Sequence, residues 1–317
     1  MKGKTLLLAI CFVVFWNSGF IGAGYVLPQT EPFTLLFWRY LGLSSLLFVY
    51  LAFRKKIYWP GWKVVAPNMV IGFLAHGVWL CCTFFAFKNG VPAGMVALVI
   101  ALQPIATGAL SGIITGEKTS KMQWLGLVIG FIGVAVSVAY RIQNDSNATL
   151  FGYLILLGSV LSISVASLIQ RQMELNKAVN KLRTDQSLFF QSIATVAAAF
   201  IPAVFVERLS TDWNMKFTLS LSWLVIGVSL IAYGSMWQLI ERISATKVSS
   251  LFYLGPPVTM LMAWLLLGDP IKLTDLLGLV IVFFGLSLTQ IDFSQFFKLP
   301  KRKIQTPTQH WQPKIKL

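Results

Sequence analysis

Apolar runs of about 18 residues or more recur along this chain, near 5–26, 33–53, 65–87, 91–114, 122–140, 150–170, 185–206, 219–240, 246–267 and 274–293. About 20 apolar residues in a helix are needed to cross roughly 30 Å of hydrocarbon. Backbone groups inside a bilayer must bond within the protein, so runs this long read as helices rather than barrel strands. Only 12% of the 317 residues are charged and the mean hydropathy is +0.72, which excludes a water-soluble globular domain. The expected fold class is an all-α integral membrane protein with ten transmembrane helices. Lys2 and Lys4 before the first run imitate a secretory signal, but the apolar character continues through Phe20 and Ile21 to Val26, so a retained span is expected.

The ten runs divide into two fives. QPIATGALSGIITGEK at 103–118, followed by LGLVIGFIG at 125–133, returns as GPPVTMLMAWLLLGDP at 255–270 and LGLVIVFFG at 277–285. The copies align without a gap at an offset of 152, pairing Pro104 with Pro256, Gly116 with Gly268 and Gly133 with Gly285. The same offset carries Leu36-Phe37 onto Leu188-Phe189. The first repeat is placed at 1–145, the second at 146–295 and a basic cytoplasmic tail at 296–317. Five is odd, so the second repeat enters the membrane upside down. Inverted-topology repeats are a mark of secondary transporters, which bind substrate near the midplane where the halves meet.

Placing the N-terminus in the cytoplasm gathers twenty of the 26 Lys and Arg on the inside, leaves five outside and puts Arg39 within a span. That asymmetry predicts a multi-pass protein of the cell (inner) membrane with both termini cytoplasmic. It also assigns the net charge of +15 to topology and to anionic headgroups of membrane lipids, with no nucleic acid partner. Asn144-Asp145-Ser146 and Asn147-Ala148-Thr149 match a glycosylation sequon in an expected outer loop.

FWNSGFIGAGYVLP at 15–28, EPFTLLFWRY at 31–40 and the paired signatures Pro104 to Gly116-Glu117 and Pro256 to Gly268-Asp269 resemble the drug/metabolite transporter superfamily, EamA-type. The resemblance covers about residues 5–293. It implies two five-helix inverted repeats around a central cavity and export or exchange of small metabolites such as amino acids. Trp16 in the first span and His76 in the third are similar to the YddG-type amino acid exporters; the sixth span carries no tryptophan, where that branch would show one.

Polar groups at bilayer depth are costly unless they face a cavity or a partner helix. Trp16 and Asn17 interrupt the first span as substrate contacts or, for Asn17, as interhelical glue. Arg39 in the second span either attracts a carboxylate or phosphate, or snorkels outward to helix-end carbonyls or Glu31. His76, near the middle of the third span, is expected to be neutral and to line the cavity, with a structural histidine as the alternative. Trp79 follows on the same helix face. The fourth and ninth spans break at Gln103-Pro104 and at Gly255-Pro256-Pro257, because proline has no amide proton and clashes with the preceding turn. Those breaks mark a binding region or serve packing or gating, with Gln103 and Tyr253 beside them, and Tyr233 near the middle of the eighth span is expected to face the cavity opposite His76. Gly126, Gly130, Gly133, Gly278 and Gly285 make the fifth and tenth spans tightly packed scaffold or a homodimer surface. Glu117 and Asp269 are expected to cap or pair locally.

No Asp or Glu lies mid-span, and no GxSxG, HExxH, P-loop, selectivity-filter or metal-ligand spacing occurs. The expectation is a carrier without cofactor or metal, not an enzyme, that exports or exchanges small polar metabolites by alternating access. Import of a nucleoside-like or methyl-donor metabolite is the alternative within transport. A non-transporting membrane enzyme or assembly partner is the alternative outside it.

Overall fold

A computed structural model describes residues 3–89, 91, 93–139, 150–176, 182–267 and 273–290. The two sequons, residues 177–181, Gly268-Asp269 and the basic tail lie outside the described residues. The described chain is almost wholly helical. In order come α1 (Gly3–Val26), α2 (Pro32–Phe53) and α3, which runs as Trp62–Gly72, a π-helical turn at Phe73–Val78, and Trp79–Lys88. Then follow α4 (Ala93–Ile100), α5 (Gln103–Ile114), α6 (Lys121–Ala139) and α7 (Leu150–Leu175). Next, α8 (Thr184–Ile201) ends in a π turn at Pro202–Val206. Then α9 runs as Met215–Trp223, a π-helical stretch Leu224–Ala232, and Tyr233–Arg242. The chain closes with α10 (Ala245–Ser249), a 3-10 stretch Ser250–Leu254, α11 (Gly255–Leu267) and α12 (Leu273–Gln290).

Among the described residues, six helical stretches are long and apolar enough to cross a membrane: Gly3–Gln29, Pro32–Phe53, Trp62–Ala86, Leu150–Leu175, Thr184–Val206 and Met215–Arg242. Leu98–Ile114, Lys121–Ser137 and Leu276–Gln290 are shorter apolar helices. The breaks fall where proline requires them. The chain leaves α4 at Ile100, turns at Ala101-Leu102 and restarts at Gln103 with Pro104 in the first turn, where a missing N–H costs nothing. Gly255 restarts α11 in the same way, directly before Pro256 and Pro257. Apolar side chains that point outward, such as Leu154, Leu161, Leu219 and Phe283, are the lipid-facing counterpart of this architecture.

Helices from the two ends of the sequence interleave. α1 packs on α9 and α11, α2 on α8, α3 on α7 and α8, α5 on α7, and α6 on α12. The α6–α12 contact is backbone on backbone, as the glycines predict. A Cβ added to Gly126 would lie 2.6 Å from the Gly285 carbonyl oxygen, and one on Gly133 would lie 2.7 Å from the Val282 nitrogen.

One tie differs from expectation. Gly116 adopts φ +73°, a left-handed turn after α5, and sends Glu117 across to α7 instead of to a local cap. Its carboxylate accepts from Arg171 Nε at 3.0 Å and Nη2 at 2.6 Å, while Arg171 Nη1 donates to the Ile240 carbonyl at 3.0 Å. Three helix ends are thereby joined. Glu117→Gln is expected to lower stability by about 2 kcal/mol, since a hydrogen bond to a charged group contributes roughly 1.5–3 kcal/mol. A double-mutant cycle with Arg171→Gln in detergent checks this; a coupling under about 0.5 kcal/mol would mean the bridge is solvated and idle.

At the opposite end Glu207 reaches back to the start of α2. Its Oε2 accepts from the Thr34 amide at 2.6 Å and hydroxyl at 2.9 Å, and its Oε1 from the Phe33 amide at 3.2 Å. A carboxylate there satisfies the amides of the first turn, which have no acceptor within the helix, and meets the positive end of the helix dipole. Thr30 and Thr211 form a short antiparallel bridge beside it, and Trp38 Nε1 donates to Thr211 Oγ1 at 3.2 Å.

Candidate functional site

His76 sits inside the π-helical turn of α3, where the wider coil displaces the side chains from their α-helical positions. The turn faces Gln191 of α8 because Gly72 lets the two helices close. A Cβ on Gly72 would fall on the Gln191 backbone, 2.7 Å from its carbonyl carbon. His76 Nε2 is 3.1 Å from Gln191 Oε1, and Trp237 Nε1 donates to that same oxygen at 2.9 Å. An indole N–H only donates, so the amide must turn its oxygen inward, and the imidazole proton belongs on Nε2. Nδ1 is then the acceptor for the Tyr40 hydroxyl at 2.9 Å. The Tyr233 hydroxyl donates to the Ala75 carbonyl at 2.8 Å, with its ring edge-on to the imidazole at a centroid distance of 4.0 Å.

Arg39 turns inward. It is 5% exposed, its Nε donates to Ser229 Oγ at 2.7 Å, and its guanidinium carbon lies 5.5 Å from the Tyr40 ring centroid. The cluster therefore joins Arg39, Tyr40 and His76 from one half of the sequence to Gln191, Ser229, Tyr233 and Trp237 from the other. A network this deep in apolar surroundings is strong while complete and costly when one partner is lost. Gln191 Nε2 has no hydrogen-bond partner among the described residues and faces no solvent, so it is a donor with capacity to spare.

Aromatic rings wall one side. Trp16 lies 5.3 Å from Trp79, 4.8 Å from Tyr233 and 5.0 Å from Phe252, within the range of favourable ring pairs. A cavity of about 50 Å³ runs from Trp16 and Asn17 to the break at Gly255-Pro256. That is room for a few waters and well below the few hundred Å³ of a metabolite pocket. Asn17 donates to the Val13 carbonyl at 2.7 Å and accepts from Thr259 at 3.3 Å, so it also ties α1 to α11. A cleft of about 510 Å³ opens farther along, lined by Leu182, Arg183, Thr184, Asp185, Gln238 and Glu241.

The structure thus brings Trp16, Arg39, His76, Trp79 and Tyr233 together and places two expected residues elsewhere. Tyr253 donates to the Leu127 carbonyl at 2.8 Å and fills the space over Gly130, in a separate cluster with Ala101, Leu127, Val134 and Val282. Gln103, 1% exposed, stands at the break with neither side-chain amide atom paired among the described residues, while its backbone carbonyl accepts from Thr107 at 2.9 Å and Ser164 at 3.3 Å. Sequence reasoning missed Tyr40, Ser229 and Trp237. Trp237 had a signal, four residues beyond Tyr233 on one helix face. Tyr40 is adjacent to Arg39 but points to a different neighbour, and Ser229 is an ordinary serine until Arg39 meets it.

A helical multi-pass membrane protein with a polar cluster buried between helices is the class this geometry defines. The EamA-like transporter family matches residues 3–139 and 150–291, and the chain belongs to that family, as a membrane transporter. It is 25% identical over 291 residues to the transporter YvbV of Bacillus subtilis, covering 89% of this chain and 90% of that one. It is 26% identical over 302 residues to a probable amino-acid metabolite efflux pump of Escherichia coli, covering 90% and 94%. It is 25% identical to the inner membrane transporter YedA of Escherichia coli, covering 88% of each chain. A crystal structure of another protein superposes with a TM-score of 0.76 at 16% identity, covering 92% of this chain and 99% of that one, which shows a shared fold.

Proposed function

We propose that this protein is a secondary carrier of the inner membrane that exports or exchanges small polar metabolites, amino acids first among them, by alternating access. The observation that carries the reading is the buried cluster of Arg39, Tyr40, His76 and Gln191, assembled across the two halves. Arg39 is the group to meet a substrate carboxylate, and Gln191 Nε2 is a donor a ligand oxygen would satisfy. The aromatic wall at Trp16 and Trp79 would take an apolar portion. Gln103 with Pro104, and Pro256 with Pro257, form the mobile breaks. The name of the Escherichia coli efflux pump points the same way.

Ten spans in two inverted repeats, 1–145 and 146–295, are part of this reading, with both termini cytoplasmic. Several of the main helix contacts pair off under exchange of the halves, which supports the reading. α1 on α9 answers α7 on α3, α5 on α7 answers α11 on α1, and α2–α8 and α6–α12 are self-paired. The π segments at 73–78 and 224–232 lie about 152 residues apart, as do the restarts at Gln103 and Gly255. In this conformation the Glu207 and Glu117 ties hold opposite ends, so access from either side requires one of them to part.

Counterflow in proteoliposomes tests the reading, with a panel of labelled amino acids and nucleosides. Protein-dependent exchange of at least one amino acid, without a pH gradient, is expected. Exchange of a nucleoside-type compound alone would replace the amino acid reading with import. Silence throughout, from protein shown to be folded, would remove the proposal.

A further inference from the structure

The structure assigns a second binding site, for the headgroups of anionic phospholipids, to the corner between α2 and α3. It stands apart from the transport reading and does not depend on it.

Residues 51–63, LAFRKKIYWPGWK, hold four cations and no acid. Lys55 adopts φ 51°, in the left-handed region that a non-glycine residue seldom occupies. That turn closes α2: the Lys55 amide bonds the Ala52 carbonyl and the Lys56 amide bonds the Leu51 carbonyl, each at 2.9 Å. Because the backbone satisfies the helix end, the side chains of Arg54, Lys55 and Lys56 are not needed there. Arg54, Lys55 and Lys63 are exposed and Lys56 is half-buried. Among the described residues, ion pairs join Arg171 to Glu117 and Arg183 to Asp185, and no carboxylate there pairs with these four cations.

The same corner exposes large apolar rings. Phe53 is 84% exposed, Trp62 65% and Trp59 57%, with Tyr58 beside them. Trp59 and Trp62 meet edge to face at 5.0 Å, and Trp59 also reaches Phe190 at 6.0 Å. Open water does not favour so many exposed rings, and hydrocarbon does not tolerate four cations. The headgroup layer suits both, since Trp and Tyr concentrate there and basic side chains meet lipid phosphate. The clustering of the charge selects an anionic lipid over a zwitterionic one. The corner is also built rather than loose: Gln186 Nε2 donates to the Lys56 carbonyl at 3.2 Å, fixing it to α8, the helix that carries Gln191.

The test places a photo-crosslinking side chain at Ile57, which is 46% exposed within the corner. The full chain is reconstituted in vesicles of equal phosphatidylglycerol and phosphatidylcholine, and captured lipids are counted by mass spectrometry. About fivefold or greater enrichment of phosphatidylglycerol is expected, falling as salt is raised, given the attraction of each basic residue near an anionic surface. Replacing Arg54, Lys55, Lys56 and Lys63 together by Gln should return capture at position 57 to the vesicle ratio. A crosslinker at Leu161, exposed in the middle of α7, should be unaffected by those changes and reports that the variant is still inserted. Equal capture of both lipids by the native corner, or enrichment that survives the fourfold variant, would overturn the assignment.

Discussion

Gly285→Leu is expected to leave little folded protein. α6 and α12 touch through bare backbone, and a Cβ on Gly285 would lie 2.5 Å from the Gly130 nitrogen and 2.7 Å from the Gly126 carbonyl oxygen. Backbone cannot rotate aside as a side chain can, so the helices must separate. They would lose the contact that Tyr253 completes with Leu127 and the facing positions of both helices. Even Gly285→Ala should cost on the order of 3 kcal/mol, at the upper end of overpacking effects. The apparent melting temperature in detergent should fall by about 6 °C or more. Gly112→Ala is the control: a Cβ there meets nothing within 4 Å, and a helical Gly→Ala change is favourable by about 0.5–1 kcal/mol. Equal melting temperatures for Gly285→Ala and the native chain would show that the interface gives way without cost.

The second large effect is at His76. His76→Ala removes the acceptor of the Tyr40 hydroxyl and one of the two donors to Gln191 Oε1, in a place with no solvent to replace them. Leaving buried polar groups unpaired costs about 1–3 kcal/mol each, and the freed Tyr40 and Gln191 would drift from the positions that meet a substrate. Counterflow is expected to drop by about 10-fold to 100-fold while membrane insertion persists. His76→Gln should recover part of the loss, because its amide can still donate towards Gln191. Native kinetics in His76→Ala would end the assignment of this cluster as the substrate site.

The two predictions differ in how far the chain announces them. The glycines of α6 and α12 were legible because tight packing of membrane helices needs small residues, and small residues in a matched pair of spans are visible without coordinates. His76 was legible as a polar group in an apolar run, a rarity with few explanations. Its partners were not. Gln191 lies 115 residues away, and what aligns the two is the close approach at Gly72 together with a π-helical turn. A π turn adds a residue to the coil through a small change in hydrogen bonding, and it leaves no residue-type signature comparable to proline. Arg39 shows the same limit. The sequence allowed an outward or an inward guanidinium, and the choice fell to Ser229 on a helix 190 residues later.

Tyr253 and Glu117 illustrate the reverse case, in which a residue near the right landmark serves another neighbour. Tyr253 stands next to the break before Pro256, yet its hydroxyl is spent on Leu127. Glu117 follows the helix end that predicted a local cap, yet Gly116 bends the chain so that the carboxylate reaches Arg171. Proximity in sequence named the region, and backbone direction chose the partner.

What this sequence determined by itself is local: long apolar helices, the two proline breaks, the glycine faces and the scarcity of charge at depth. Each follows from a backbone that must satisfy its own hydrogen bonds in hydrocarbon, which is settled within about twenty residues. What only the tertiary structure decided is which polar side chains meet. A hydrogen bond between helices depends on rotation and crossing of both, a relation that no single stretch of chain contains.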